Sequence, residues 1–232
     1  KDIQRQSISN SLEVFKSLGA DIKSTRLRSL QEYRDVKLVI AESETFSVHA
    51  SNLSSKLNMY GADFRRRVLP ACLFTAVDYV NAQRARRRMQ AEINKIYENF
   101  DVLFTLGAGP AAEIEGHGLS SPWASKMLTT PFNLFGGPAI SICNGFDNDG
   151  LPLSMQLAAR VFDESNILRV AYAYEQATSW RKKRPFSDAN IIAPKINPKY
   201  KGVQVSELNE DIGSRSEKLA IEAGLELEGE HL

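Results

Sequence analysis

Two short apolar runs, 139–143 and 153–158, stand on either side of the turn Asp147-Asn148-Asp149-Gly150, and this arrangement limits the fold more than any other feature of the sequence. Asn, Asp and Gly tolerate the backbone angles that reverse a chain, so the segment predicts a strand pair with a tight connection. Helical spacing over Glu164 to Thr178 then predicts a helix that closes the compact part of the chain.

Upstream, Leu12, Val14, Phe15 and Leu18 fall near helical spacing, with Ser9 as a cap and Gly19 as the stop. A strand is expected over Ile22 to Leu27, a mostly helical segment over Val36 to Leu57, and a longer helical stretch over Phe64 to Phe100. Pro70 is expected to start the main helix of that stretch, because the first turn tolerates its missing N–H. A short buried strand is expected over Asp101 to Thr105, then a Gly/Pro-rich connection over Leu106 to Pro122 and a short helix-like stretch over Trp123 to Leu128. Beyond Pro185 the sequence turns polar and punctuated and reads as a wrapped tail. The pattern of helix and strand makes one α/β domain the simplest account, and a chain opening at Lys1 inside an amphipathic pattern reads as cut, with something expected before it.

The chain has 232 residues with 29 basic and 28 acidic side chains, a net charge of +1. So even a balance gives no field that argues for nucleic acid or an anionic membrane, and no apolar run approaches the roughly 20 residues that a span needs. A small or neutral substrate suits it better. Cys72 and Cys143 lack metal-site spacing and read as buried thiols, which makes a reducing cytoplasm the default location. The basic run Arg84, Arg86, Arg87 and Arg88 reads as a solvated or ion-paired face.

A search for chemistry finds no Gly-x-Ser-x-Gly elbow, no His-Glu-x-x-His and no paired Cys-x-x-Cys. Gly107-Ala108-Gly109 is followed by Pro110 rather than a Lys-Ser or Lys-Thr pair, so it fails as a phosphate loop. His49, His117 and His231 read as surface or hydrogen-bonded histidines. No catalytic residue, metal site or cofactor site is expected within this chain.

The block Thr129-Thr130-Pro131-Phe132-Asn133-Leu134-Phe135-Gly136-Gly137-Pro138-Ala139-Ile140-Ser141 resembles the Thr-x-Pro-x-Asn-Leu-x-Gly-x-Pro-Ala-Ile-Ser block of the amidase-signature family. Gly150-Leu151-Pro152-Leu153-Ser154-Met155-Gln156-Leu157 resembles a Gly-Leu-Pro-x-Gly-x-Gln-Leu strand of the same family, with Ser154 where glycine is usual. Phe162-Asp163-Glu164 and Ala173 to Thr178 look like its closing helix, and Tyr60-Gly61, Arg65 to Arg67 and Asp78 to Ala82 look like its long-helix region. The resemblance covers roughly residues 1–185, read as the C-terminal portion of one amidase-signature domain, with 186–232 as an extension or wrapped tail.

That resemblance implies an α/β fold, the C-terminal part of an α/β/α architecture whose mixed β-sheet is flanked by helices. It implies hydrolysis of amides by a serine nucleophile, a bridging serine and a lysine, all in an N-terminal half that this chain lacks, so the isolated chain is expected to be inactive and to form one wall of the pocket. Substrate contacts are expected from Thr129, Phe132, Asn133, Gly136, Gly137, Arg86 and Trp123, with a purely structural role for Asn133 and the two glycines left open. The expected partners are a small amide substrate and the N-terminal half of the same enzyme. A homodimer stays open, and neither nucleic acid nor membrane is expected to bind. The alternative is the A subunit of a glutamyl-tRNA amidotransferase. In that subfamily an acidic residue is expected where Lys126 stands, whereas Arg86 lies near its carboxylate-binding arginine. A non-catalytic binding module is a third reading.

Overall fold

The computed structural model describes residues 2–107 and 127–184. The chain divides into two compact units, one built from 1–35, 84–118 and 125–185, the other from 36–83, 119–124 and 186–232. Expectations for residues 108–126 and for the tail beyond Arg184 lie outside the described residues.

In the first unit, helix α1 (Asp2–Ser17) precedes strand β1 (Leu103–Leu106), a short helix α5 (Thr130–Phe135), strands β2 (Ala139–Phe146) and β3 (Pro152–Ala158), and helix α6 (Glu164–Ala177). The strands form one sheet in the order β1-β3-β2, both pairings antiparallel. The expected strand pair is therefore present. Asp147 closes its turn, its carboxylate accepting from the backbone N–H of Asp149 at 3.0 Å and of Leu151 at 2.8 Å, as a turn-initiating aspartate does. The fold is α/β as expected, and among the described residues the sheet is antiparallel throughout.

Because side chains alternate across a strand, Phe104, Ile140, Ile142, Met155 and Leu157 share one face of the sheet. That face packs with Phe15 of α1 and with Ile167, Ala171 and Tyr174 of α6 to form the main core. A polar network joins the same elements. Ser7 Oγ donates to the carbonyl of Asn144 at 3.0 Å, Asn144 Nδ2 donates to Ser11 Oγ at 3.2 Å, and Ser11 Oγ lies 3.2 Å from the Tyr174 hydroxyl. Asn144 sits where the β2–β3 register shifts between Cys143 and Gly145, so the network ties α1 and α6 to a bulge.

Helix α1 starts at Asp2, earlier than the Ser9 cap predicts, and its end is as expected. Gly19 has φ +92°, its N–H reaches the Lys16 carbonyl at 2.9 Å, and the Ala20 N–H reaches that of Phe15 at 3.0 Å, a paired closure that satisfies the last carbonyls of the helix. The strand expected over Ile22 to Leu27 is absent: these residues carry no regular structure. A strand needs a neighbour to accept its hydrogen bonds, and alternation alone does not supply one.

Helix α2 (Leu30–Ser55) begins in the first unit and makes up much of the second, followed there by α3 (Ala62–Val68), a 3₁₀ segment over Leu69–Leu73 and the start of α4 (Ala76–Ile96). The helical stretch expected from Phe64 is thus broken, and Pro70 belongs to the 3₁₀ segment instead of starting the main helix. Thr75 takes that role: its Oγ accepts from the Asp78 N–H at 3.2 Å while the Asp78 carboxylate accepts from the Thr75 N–H at 2.9 Å, a reciprocal cap that fixes the start one residue later. His49 is the expected hydrogen-bonded histidine, 3.1 Å from the Tyr60 hydroxyl and edge-on to Phe64.

Glu42 of α2 is 2% exposed, with Arg67 Nε at 3.5 Å and Lys37 Nζ at 4.0 Å. Burial pushes its carboxyl above the ordinary value more than Arg67 and Lys37 pull it down. A raised folded-state value favours folding only while the group is protonated, so this contribution is present below the unfolded value and is lost as pH rises through the folded one. Glu42→Gln is therefore expected to raise stability at pH 7. The gain should shrink toward zero below about pH 4, the range in which an unperturbed glutamate is protonated. Denaturant melts of both proteins at the two pH values check this, and an unchanged or lower stability at pH 7 would show that the ion pairs dominate.

No helix among the described residues is long and apolar enough to cross a membrane.

Candidate functional site

The block that carries the resemblance folds as a corner. The sequence suggests a loop over Thr129 to Gly137, but the structure forms helix α5 within it, because Pro131 sits in the first turn, where no partner for its nitrogen is needed. Gly136 ends the helix in the left-handed conformation at φ +84°, its N–H donating to the Phe132 carbonyl at 2.9 Å. Side chains rarely adopt that conformation, which accounts for glycine there. Chain direction then reverses into β2 through Gly137 and Pro138, and the Ala159 N–H donates to the Pro138 carbonyl at 3.0 Å.

Helix α4 clamps the corner from one side. Arg86 Nε donates to the Leu134 carbonyl at 2.9 Å, and Gln90 Nε2 donates to the carbonyls of Leu134 at 3.2 Å and Phe135 at 3.0 Å. These are terminal carbonyls of α5, which lack partners inside so short a helix. Tyr97 packs its ring on Phe135 with centroids 5.5 Å apart. Burial pushes the Tyr97 phenol up, so it stays neutral.

The corner brings together most of the residues expected there. Asn133 and Gly136 are exposed, Thr129 and Gly137 are half-buried, and Arg86 lies beside Gly136, with Nη2 3.9 Å from the place a Cβ would take. Phe132 is 3% exposed and packs into the interior of the described residues. An amphipathic helix, rather than a loop, turns it inward. Trp123 lies outside the described residues, as does Lys126. Arg86 is the one member of the arginine run turned inward, while Arg87 and Arg88 are exposed as a solvated face would be.

Sequence reasoning missed the polar side of the sheet. Opposite the main core, Thr105 and Ser141 flank Gln156 across the strands, and Cys143 pairs with Ser154 one row further along. Gln156 is 6% exposed and donates from Nε2 to Thr105 Oγ1 at 3.2 Å. A Cβ on Gly107 would lie 2.2 Å from Ser154 Oγ and 2.7 Å from its carbonyl oxygen, so only glycine lets the chain leave β1 this close to β3. The signal lies in cross-strand register, which a single strand's pattern does not carry. This face of the sheet therefore carries hydroxyl, amide and thiol groups. Such a face can hydrogen-bond a ligand or main chain, yet it holds no charged acid or base. Among the described residues no group of three His, Cys, Asp or Glu side chains could hold a metal. Cys72 and Cys143 are both free thiols, and burial pushes the Cys72 thiol up.

Replacing Arg86 by lysine keeps the charge but removes the Nε donor to Leu134. The expected loss is about 1.5–3 kcal/mol of stability, the ordinary net value of one hydrogen bond made by a charged donor. Equilibrium unfolding of R86K and R86M checks it, and equal stability of R86K and the parent would mean that the clamp is Gln90 alone.

The Amidase family model matches residues 4–168. Curated relatives include the A subunit of glutamyl-tRNA(Gln) amidotransferase from Lysinibacillus sphaericus (strain C3-41), 35% identical over 210 residues, covering 78% of this chain and 42% of the relative. The corresponding protein from Synechococcus sp. (strain RCC307) is 34% identical over 173 residues, covering 71% of this chain and 35% of the relative. The chain thus spans less than half the length of these relatives. Among solved structures, a Kluyveromyces lactis allophanate hydrolase aligns with TM-score 0.67 at 18% identity, over 78% of this chain and 31% of that one. A crystal structure of an amidase aligns with TM-score 0.66 at 21% identity, over 74% of this chain and 41% of that one. At such identities the structures establish the shared fold. With a family model matched over most of its length, the chain belongs to the Amidase family.

Proposed function

We propose that the protein containing this chain hydrolyses the carbon–nitrogen bond of a small linear amide, urea-like or carbamate-like substrate, with this chain forming part of the pocket. The family match over residues 4–168 carries the reading. A serine hydroxyl attacks the carbonyl carbon, the C–N bond breaks as the amine leaves with a proton, and water hydrolyses the acyl-enzyme. The nucleophilic serine, the bridging serine and the lysine lie in the N-terminal portion of the protein, outside this chain, and the isolated chain is inactive. Residues 1–185 form part of that one domain, and 186–232 an extension. Asn133, Gly136, Thr129 and Arg86 make the exposed corner that meets substrate, and Gly137 holds it against β3. The protein works in the cytoplasm without a cofactor.

A second reading, the A subunit of a glutamyl-tRNA amidotransferase, is favoured by the name that its curated relatives carry. Lys126 stands against it, since that subfamily is expected to carry an acidic residue for the amino group of glutamine at this place in the sequence. An intact-mass measurement of the purified protein with an assay of ammonia release separates the readings. The panel holds simple amides, and glutamine with and without the other amidotransferase subunits. Release from simple amides by a species heavier than 25.8 kDa supports the amidase. Release from glutamine alone, dependent on the other subunits, supports the second reading. A full-length protein with no turnover on any of these would leave only a binding module.

A further inference from the structure

Asn144 is followed by Gly145, the only Asn-Gly pair in the sequence. With no Cβ on the second residue, the Gly145 backbone nitrogen can approach the Asn144 side chain and, once it has given up its proton, attack Cγ. The bond from Cγ to the side-chain nitrogen then breaks, ammonia leaves with that proton, and a five-membered succinimide remains. Water opens the ring at either carbonyl. One opening leaves aspartate, and the other leaves isoaspartate, with the main chain rerouted through the side chain. No electrons change hands, and water is the one reactant besides the protein itself.

The fold holds this reaction off. Asn144 is 2% exposed and is the extra residue of the β2 bulge, between Cys143, opposite Ser154, and Gly145, opposite Leu153. Ring closure requires Cγ to swing back onto the Gly145 nitrogen, and α1 fixes Asn144 at both of its ends instead. Ser7 Oγ donates to the Asn144 carbonyl at 3.0 Å, while Asn144 Nδ2, the nitrogen that would leave, donates to Ser11 Oγ at 3.2 Å. Ser11 is held in turn, donating to the Ser7 carbonyl at 2.8 Å and lying 3.2 Å from the Tyr174 hydroxyl. A Cβ on Gly145 would lie 3.3 Å from Ser7 Oγ, so α1 also packs on the attacking residue. Asn144 Oδ1, by contrast, has no hydrogen-bond partner among the described residues, so the side chain is held through its nitrogen alone. The restraint is thus tertiary: with α1 lifted, the pair reverts to ordinary chain.

We propose that Asn144 is a deamidation site that reacts only when α1 leaves the sheet, and that its products keep α1 from docking again. Aspartate lacks the Nδ2 donor to Ser11 and would bury a carboxylate among hydroxyl partners. Isoaspartate lengthens the backbone of a bulge that is already one residue out of register. None of this depends on the amide chemistry of the site. The test is incubation of the full-length protein in mildly alkaline buffer followed by peptide mapping, each deamidation adding about 1 Da to the peptide that holds it. Folded wild type is expected to gain this mass at Asn144 at least about tenfold more slowly than wild type unfolded in urea, because the rate follows the open population. S11A and Y174F each lack one partner of the buried network and are expected to speed the reaction about fivefold in native buffer. Where a variant does not fold, urea added to wild type supplies the opening instead, and the rate should climb with it. N144D, the product made directly, should melt below wild type. Equal rates in folded and unfolded wild type would overturn the proposal. So would a rate indifferent to S11A, Y174F and urea, mass gain at another asparagine in preference to Asn144, or N144D melting together with wild type.

Discussion

Gly137→Ala is expected to cost the protein about 1–3 kcal/mol and, on the proposed function, to lower the amide turnover of the full-length protein with it. A Cβ at position 137 would lie 2.5 Å from the Ala159 carbonyl oxygen and 2.6 Å from the Phe135 ring, nearer than real contacts allow. Neither neighbour can retreat freely: Ala159 is bound through its N–H to Pro138, and Phe135 packs on Tyr97 while Gln90 holds its carbonyl. Relief must come from moving the α5–β2 corner, which the proposed function places at the substrate. Gly136→Ala makes the comparison sharp. Its Cβ would find nothing nearer than Arg86 Nη2 at 3.9 Å, so only the left-handed backbone is penalised, by about 1 kcal/mol. Thermal melts and turnover of the two variants check the argument, and a Gly137→Ala no worse than Gly136→Ala would contradict it.

Leu157→Ala is expected to be more severe in stability, about 2–5 kcal/mol, because it opens a cavity where the sheet cannot collapse. Leu157 is 1% exposed, lies between Phe104 and Ile140 in the cross-strand register, and belongs to the core that α1 and α6 share. Deleting the same atoms at Leu168, 56% exposed, should change stability by no more than about 0.5 kcal/mol. Urea unfolding of the pair at low concentration measures the difference. Similar losses at both positions would mean that Leu168 is packed and that the solvent-facing assignment of α6 is wrong.

The elements that could be placed from sequence are those whose pattern and punctuation agree. Strands β2 and β3 combine apolar runs with an Asp-Asn-Asp-Gly reversal, α6 combines helical spacing with a clear start, and Gly19 ends α1 by its own left-handed conformation. The misplacements share a cause. Ile22 to Leu27 alternate as a strand does but find no edge to join, and Pro70 is as acceptable in a 3₁₀ turn as at a helix start. Thr75 with Asp78 was the better helix-start signal, since their side chains cap each other.

The candidate site divides along the same line. Residue types at 129–137 identified the block, because a proline in a first turn and a glycine at a left-handed end are local requirements that a sequence states directly. What surrounds the block was decided by contacts distant in sequence. Phe132 is interior because α5 turns it there, Arg86 acts as a clamp because α4 passes the end of α5, and Gln156 joins Thr105 and Ser141 only through strand order. Backbone geometry and family membership were thus determined by the sequence itself, through local sterics and motif. Which side chains meet one another, and so which can meet a ligand, was decided by tertiary structure, since burial and register depend on partners many residues away.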